Sequence, residues 1–357
     1  MPKMAQPDPL TPLVIRFGAF GDMLLLIPML KALYHRYGRP GELVSSGRWT
    51  TPLMQRLPAC SQVHLLTSRR APYWFNRSQW QLVAWLRTRP AGPVYVFEPD
   101  EKSHWLLQRG GIKPEWICSL RDLPRQSGEN IMHHALRLAR ETPAALRSSP
   151  DYAPDPAFAP DARPVLTDSD IRDCQDWLDR QGLAGSPLVL LQPGNKKTMK
   201  GGNRQRGSNV DYWPESSWAQ VIASVRRVLP SSRVILCGSP AERPLAEDIV
   251  AQIPDSHEGV SIATDDLPIP RLLALQARAH SMISVNTGPA HGAATMGCPL
   301  VVLFSRHQHR SADLYAPQPT TAPVKILFPD PAIPDATLAS ITPDTVIAAW
   351  QKMTAVG

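Results

Sequence analysis

Short apolar runs alternate with longer amphipathic stretches along most of the chain. Leu13 to Phe17 reads as a buried strand and Gly18-Ala19-Phe20-Gly21 as a turn. Asp22 then stands where a helix from about Met23 to Tyr37 begins, and Gly38 with Pro40 ends it. The runs Glu42 to Ser45, Val63 to Leu66 and Val94 to Phe97 read as further strands. Helices from Ser78 to Arg87 and from Lys102 to Gln108 lie between or after them. A second alternation follows a helix from Asp168 to Gln181. Its strands are Leu188 to Leu191, Arg233 to Cys237, Ser281 to Val285 and Leu300 to Phe304. Its helices run from Pro214 to Leu229, Pro244 to Gln252, Ile269 to Ala279, Ala290 to Met296 and Pro343 to Lys352. Strands spaced by helices predict an α/β chain with parallel sheets.

Between the two alternations, residues 143–164 hold six prolines, which suits a linker. The chain of 357 residues therefore reads as two α/β halves, large enough for two cores. Proline, at 38 residues, argues against long helical bundles. No apolar run approaches the roughly 20 residues of a membrane span. Met1 to Leu10 is polar and lacks a signal peptide's apolar core. The five cysteines are scattered, with no metal-ligand spacing, as in a reduced cytoplasmic protein.

Charge changes this picture. The formal net charge is +7, and residues 1–165 carry 21 Lys and Arg against 13 Asp and Glu. Residues 166–357 are nearly balanced, 17 against 18. No acid lies between Glu42 and Glu98, where seven arginines do. Such a face suits an anionic partner, whether nucleic acid, membrane or acidic substrate. Within it, Arg69, Arg70, Arg77, Arg87 and Arg89 interleave with Tyr73, Trp74, Phe75, Trp80 and Trp85. That pattern fits a membrane interface or anionic glycolipid, single-stranded nucleic acid, or an ordinary amphipathic helix with a basic outer face.

Several loops could carry chemistry. Gly18-Ala-Phe-Gly21-Asp22 is no dinucleotide loop, but its glycines permit close backbone approach. Asp22 is either a helix cap or a carboxylate at the ligand edge of an open sheet. Lys196, Lys197, Lys200, Arg204 and Arg206 share a glycine-rich loop after a strand, suited to phosphates or simply solvated. Glu242, after Cys237-Gly-Ser-Pro-Ala, could accept ribose hydroxyls or serve its helix start. Asn286-Thr287-Gly288-Pro289-Ala-His291 opens a helix whose free N–H groups could hold an anion, with His291 as a further donor or a packed core histidine. Asp168-Ser-Asp170 is explained by capping, so no metal site is expected.

Together these motifs resemble glycosyltransferase family 9, the ADP-heptose:lipopolysaccharide heptosyltransferases. The resemblance is carried by Val14 to Pro28, by Trp213-Pro-Glu215, by Gly238-Ser-Pro-Ala-Glu242 and by Asn286 to Ala294. The Arg16 to Asp22 start is most similar to the OpsX-type branch. The resemblance implies a GT-B fold, two Rossmann-like domains facing across a cleft. Residues 1–165 would bind acceptor and residues 166–340 the nucleotide sugar. The helix in 341–357 would pack back toward the N-terminal domain. It implies inverting, metal-independent transfer of heptose from ADP-heptose to the lipopolysaccharide inner core, with Kdo-lipid A as the candidate acceptor. Asp22 would be the general base. Lys196, Lys197, Lys200, Glu242, Asn286, Thr287, Gly288, Pro289 and His291 would bind the donor. Gly21, Arg69, Arg70, Lys102 and Ser103 would meet the acceptor. No cofactor is implied. The partners would be a nucleotide sugar, an anionic glycolipid and the cytoplasmic face of the inner membrane, and not nucleic acid. Two positions depart from the family pattern: Asn286 stands where Asp is frequent, and Asp211 where Lys is frequent. The alternatives are another nucleotide sugar, another anionic glycan acceptor, or a non-enzymatic nucleic-acid-binding module.

Overall fold

Leu13-Val14-Ile15 is wholly apolar because β1 (Leu13–Ile15) has a strand on either side and is covered on both faces. The computed structural model describes residues 10–68, 72–195, 198–199, 206–254, 257–305, 312–318, 320–333 and 336–355. The chain divides into two compact units, Met1–Val165 and Leu166–Gly357.

In the first unit, β2 (Gly41–Ser45), β3 (Cys60–Leu65), β4 (Val94–Val96) and β5 (Ile117–Ser119) join β1. The sheet is parallel, in the order β3-β2-β1-β4-β5. The single helix expected after Asp22 is two: α1 (Phe20–Leu24) and α2 (Ile27–Tyr37). Pro28 explains the break, since it has no N–H to donate back to Leu24. The remaining helices of this unit are α3 (Thr50–Met54), α4 (Arg77–Thr88), α5 (Glu101–Arg109) and α6 (Ile131–Arg140).

The proline-rich stretch is an ordered strap rather than a free spacer. Arg36 of α2 donates to the carbonyls of Ala139, Glu141 and Tyr152 and to the hydroxyl of Thr142. Phe158 stacks on His35 at 4.0 Å, and Lys31 pairs with Asp161 at 2.6 Å. The buried Arg36 guanidinium thereby joins the strap at Tyr152 to the chain just before it, at 139–142. Part of the basic run is likewise internal. Arg89 is buried against Glu42 at 2.7 Å, tying the end of α4 to β2.

The second unit opens with α7 (Asp168–Arg180). Its start is a reciprocal cap: the Thr167 N–H donates to Asp170 Oδ2 at 2.8 Å, and the Asp170 N–H to Thr167 Oγ1 at 3.3 Å. The sheet is again parallel. It comprises β6 (Leu188–Gln192), β7 (Arg233–Cys237), β8 (Val260–Ala263), β9 (Ser281–Val285), β10 (Leu300–Leu303) and β11 (Val324–Leu327). Its order is β11-β10-β9-β6-β7-β8. Around it lie α8 (Glu215–Val228), α9 (Arg243–Ala251), α10 (Ile269–Arg278), α11 (Gly288–Met296), the short α12 (Ala312–Tyr315) and α13 (Pro343–Thr354).

Three tryptophans fill one face of this core. Trp213 packs edge-on against Trp218 at 4.9 Å and donates to the Ile341 carbonyl at 2.9 Å. Trp350 anchors α13 over the sheet through a 2.8 Å bond to Ser281 Oγ. All five cysteines are free and buried. Burial pushes the thiols of Cys60, Cys118, Cys237 and Cys298 up to about 12, so they are core residues rather than nucleophiles.

Candidate active site

In both sheets the strand order reverses direction beside the first strand of the unit, between β1 and β4 and between β6 and β9. Loops leaving the carboxyl ends of such strand pairs form the ligand crevice of open α/β sheets. Asp22 follows β1, and Asn286 and Thr287 follow β9.

In the first unit, Arg16 follows β1 and Glu98 lies just beyond β4. Arg16 is buried. Its Nη2 donates to Asp22 Oδ1 at 3.0 Å, and its Nη1 to the Phe97 carbonyl at 3.2 Å and to Glu98 Oε1 at 3.5 Å. The guanidinium also sits 5.0 Å from the Phe97 ring centre. Glu98 in turn accepts the Phe17 N–H at 2.7 Å. Asp22 does serve the helix start, as one reading of the sequence made it, but from inside the helix rather than as its N-cap. It is the third residue of α1, and its Oδ2 turns back to accept the Ala19 N–H at 2.8 Å. Gly18 makes this possible, since a Cβ there would come within 2.4 Å of Asp22 Cβ. The Asp22 carboxylate is thus fixed by a cation and an amide. Two of its four lone-pair sites are used, which leaves room for a proton or a hydroxyl.

Lys102 is exposed on α5 and lines a cavity of about 330 Å³ with Pro72, Tyr73, Gln79, Glu101, Trp105 and Leu106. Ser103 is buried, and its hydroxyl donates to Asp100 at 3.3 Å, so it serves the start of α5. Gly21 is buried inside α1. Arg69 and Arg70 lie outside the described residues.

In the second unit, Glu242 follows β7. Its Oε2 accepts both the N–H and the hydroxyl of Ser239, at 2.8 and 2.7 Å. Its Oε1 accepts Gln192 Nε2 at 3.3 Å. Gly194 sits directly against it: a Cβ there would lie 2.3 Å from Glu242 Oε1. After β9, Asn286 is buried, and Thr287 is the N-cap of α11 without using its side chain as a cap. Thr287 Oγ1 is buried and has no partner among the described residues. Gly288 and Pro289 open the first turn, in which the N–H groups of Gly288 and Ala290 have no intrahelical acceptor and Pro289 has none to offer. Gln276 of α10 holds that turn by donating to the Pro289 carbonyl at 2.8 Å. His291 is buried one turn in, among small residues. An unsatisfied hydroxyl beside free helix-terminal N–H groups is a ready seat for an anion.

Asp211 is buried, accepting Ser305 Oγ at 2.6 Å and Asn195 Nδ2 at 3.2 Å. It joins the loop after β6 to the loop after β10. Of the loop cations, Lys196, Lys197, Lys200 and Arg204 lie outside the described residues. Arg206 is within them, and the expected phosphate contact does not fit its surroundings. Its guanidinium is held by Glu215 at 2.8 Å and Asp248 at 2.5 Å. Two carboxylates already neutralise it, and they would repel a diphosphate brought alongside. Among the described residues, no three His, Cys, Asp or Glu side chains gather as metal ligands.

Arg16 and Glu98 were not among the residues expected at these sites. The available signal was the charge pattern: Glu98 ends the long acid-free run that begins after Glu42.

Residues 177–326 match the family model of glycosyltransferase family 9 (heptosyltransferase). The match covers 150 of the 357 residues, all of them within the second unit. Solved structures share the fold. The glycosyl transferase family 9 protein of Veillonella parvula DSM 2008 superposes with a TM-score of 0.78 at 14% identity, over 99% of each chain. ADP-heptose lps heptosyltransferase II of E. coli gives 0.72 at 16% identity, covering 97% of this chain and 99% of that one. The E. coli heptosyltransferase WaaC with ADP gives 0.68 at 16%, covering 96% and 99%. These likenesses show a GT-B fold. No curated protein sequence matches it. Among the described residues no helix is long and apolar enough to cross a membrane.

Proposed function

We propose that this protein transfers heptose from ADP-heptose to the inner core of lipopolysaccharide, with inversion and without a metal. The observation that carries the reading is the family 9 match across the second unit. The presence of ADP in a solved relative of the same fold supports ADP as the donor nucleotide. In this reading the first unit receives an anionic acceptor, such as Kdo-lipid A, and the second the nucleotide sugar. Asp22 takes the proton of the attacking acceptor hydroxyl, while that oxygen forms its bond to the anomeric carbon and ADP departs. Arg16 keeps the carboxylate aimed. The N–H groups at the start of α11, Thr287 Oγ1 and His291 stabilise charge on the departing diphosphate. Asn286 and Pro289 shape that turn, and Glu242 receives the ribose hydroxyls. Lys196, Lys197 and Lys200 supply cations from the loop after β6. Gly21, Lys102 and Ser103, with Arg69 and Arg70, border the acceptor. The protein works from the cytoplasm at the inner face of the membrane.

Two measurements test this. A thermal-shift and calorimetric screen of ADP-, UDP- and GDP-sugars in EDTA is expected to select the ADP donor. Salt-dependent binding of polynucleotide with no nucleotide-sugar binding would contradict the reading. Gly194→Ala is expected to weaken ADP-heptose binding by about tenfold, near 1.4 kcal/mol, because the new methyl must displace the Glu242 carboxylate. Unchanged affinity in that variant would remove Glu242 from the donor site.

A further inference from the structure

The most exposed aromatic side chains of the first unit form one ridge. The turn Tyr73–Phe75 precedes α4 and carries Trp74, 67% exposed, and Phe75, 88% exposed. Trp80 of α4 is 44% exposed and Trp105 of α5 is 39% exposed. Tyr73 is the hub, with ring centres 5.6 Å from Trp74, 6.4 Å from Trp80 and 5.3 Å from Trp105. The Arg109 guanidinium is set among the same rings, 4.2 Å from Trp105 and 4.6 Å from Tyr73.

The ridge is held rigidly from below. Buried Asn76 caps α4, with Oδ1 accepting the Gln79 N–H at 3.2 Å and the Ser78 hydroxyl at 2.7 Å. Asn76 Nδ2 and Gln79 Nε2 both donate to the Ser68 carbonyl at 2.9 Å. Phe75 is therefore presented to solvent by a satisfied buried network, not by a loose turn. So large a contiguous apolar projection calls for a partner.

Charge selects among partners. The outer stripe of α4 runs Arg77, Trp80, Gln81, Ala84, Arg87, all exposed, and Lys102 is exposed on neighbouring α5. From residue 43 to residue 97 there is no acid to offset the arginines. Projecting indoles and a phenyl ring flanked by cations match a bilayer whose headgroups are anionic. The rings enter at headgroup depth and the cations meet the phosphates.

We propose that the ridge Trp74–Phe75–Trp80, flanked by Arg77 and Arg87, docks this protein onto an anionic lipid surface. The inference rests on the proposed glycolipid acceptor for its purpose, since an enzyme acting on a membrane-embedded acceptor needs a fixed approach.

The test is co-sedimentation of the full chain with phosphatidylglycerol-containing vesicles and with pure phosphatidylcholine vesicles. It is run without donor or acceptor, so it is independent of turnover. Wild-type protein is expected to bind the anionic vesicles, bind the zwitterionic ones at least tenfold more weakly, and lose affinity as salt rises. The Trp74→Ser/Phe75→Ser double variant is expected to bind anionic vesicles at least tenfold more weakly. Both side chains are exposed, so this variant folds, and transfer to a deacylated, water-soluble acceptor stays at the wild-type rate. Equal vesicle binding by wild type and variant would overturn the proposal, as would a wild type that ignores anionic vesicles. Self-association through the ridge, lost in the variant and without vesicle binding, would give the surface to a second copy instead. Vesicle binding with no transfer activity would leave this proposal standing and defeat the proposed reaction.

Discussion

Asp22→Asn is expected to lower the rate of transfer by about 10²–10⁴-fold while donor affinity stays within a factor of two or so. The amide has the size of the carboxylate and keeps one acceptor oxygen, so α1 and its contact with Ala19 survive. It cannot take a proton from the acceptor hydroxyl. The variant should therefore melt close to the wild type and bind ADP normally in calorimetry. A variant with near-normal turnover would remove Asp22 from the chemistry. One that lost donor binding as well would point to a structural role for the carboxylate.

Arg16→Met is expected to have the larger effect on stability. Arg16 is buried between Asp22 at 3.0 Å and Glu98 at 3.5 Å and bridges the two carboxylates. Its removal leaves two neighbouring negative charges, one of them deeply buried. Breaking a buried pair from one side costs about 3 kcal/mol. In a unit of this size that is a fall in Tm of roughly 6–12 °C. Turnover should fall too, because Asp22 loses the partner that aims it. Arg16→Lys separates charge from shape. An ammonium restores a positive charge but cannot bridge both carboxylates and the Phe97 carbonyl as the planar fork does. Lysine is thus expected to recover much of the melting temperature and little of the rate. If methionine left both unchanged, the cluster would be incidental.

The two alternations of strand and helix were legible because the central strands are nearly continuous apolar runs. β7 (Arg233–Cys237) and β9 (Ser281–Val285) have the bounds their hydrophobicity predicts. The strands that escaped detection, β5, β8 and β11, each pair with one neighbour only. An edge strand needs less apolar sequence, and three or four residues make too short a pattern to stand out. Helix α6 was missed because His134 interrupts its apolar face, although His134 is buried and bonded to the Leu123 carbonyl at 2.8 Å. The site divides in the same way. Asp22 and Thr287 were visible because glycine turns mark the loops that carry them. Arg16 and Glu98 were not, because a charged residue at a strand end reads as solvated. Their pairing spans 82 positions of sequence and exists only because β1 and β4 lie side by side. The strap 143–164 shows the opposite failure. Its prolines signal an irregular backbone correctly, but composition alone does not reveal that Arg36 binds it down.

Mass spectrometry of the acceptor tests the proposed reaction most directly. The purified chain is incubated in EDTA with ADP-heptose and a Kdo-terminated lipid A acceptor. The expected result is an acceptor heavier by one heptosyl unit, formed with release of ADP and absent with Asp22→Asn. An unmodified acceptor, with a different nucleotide sugar consumed in its place, would contradict the account.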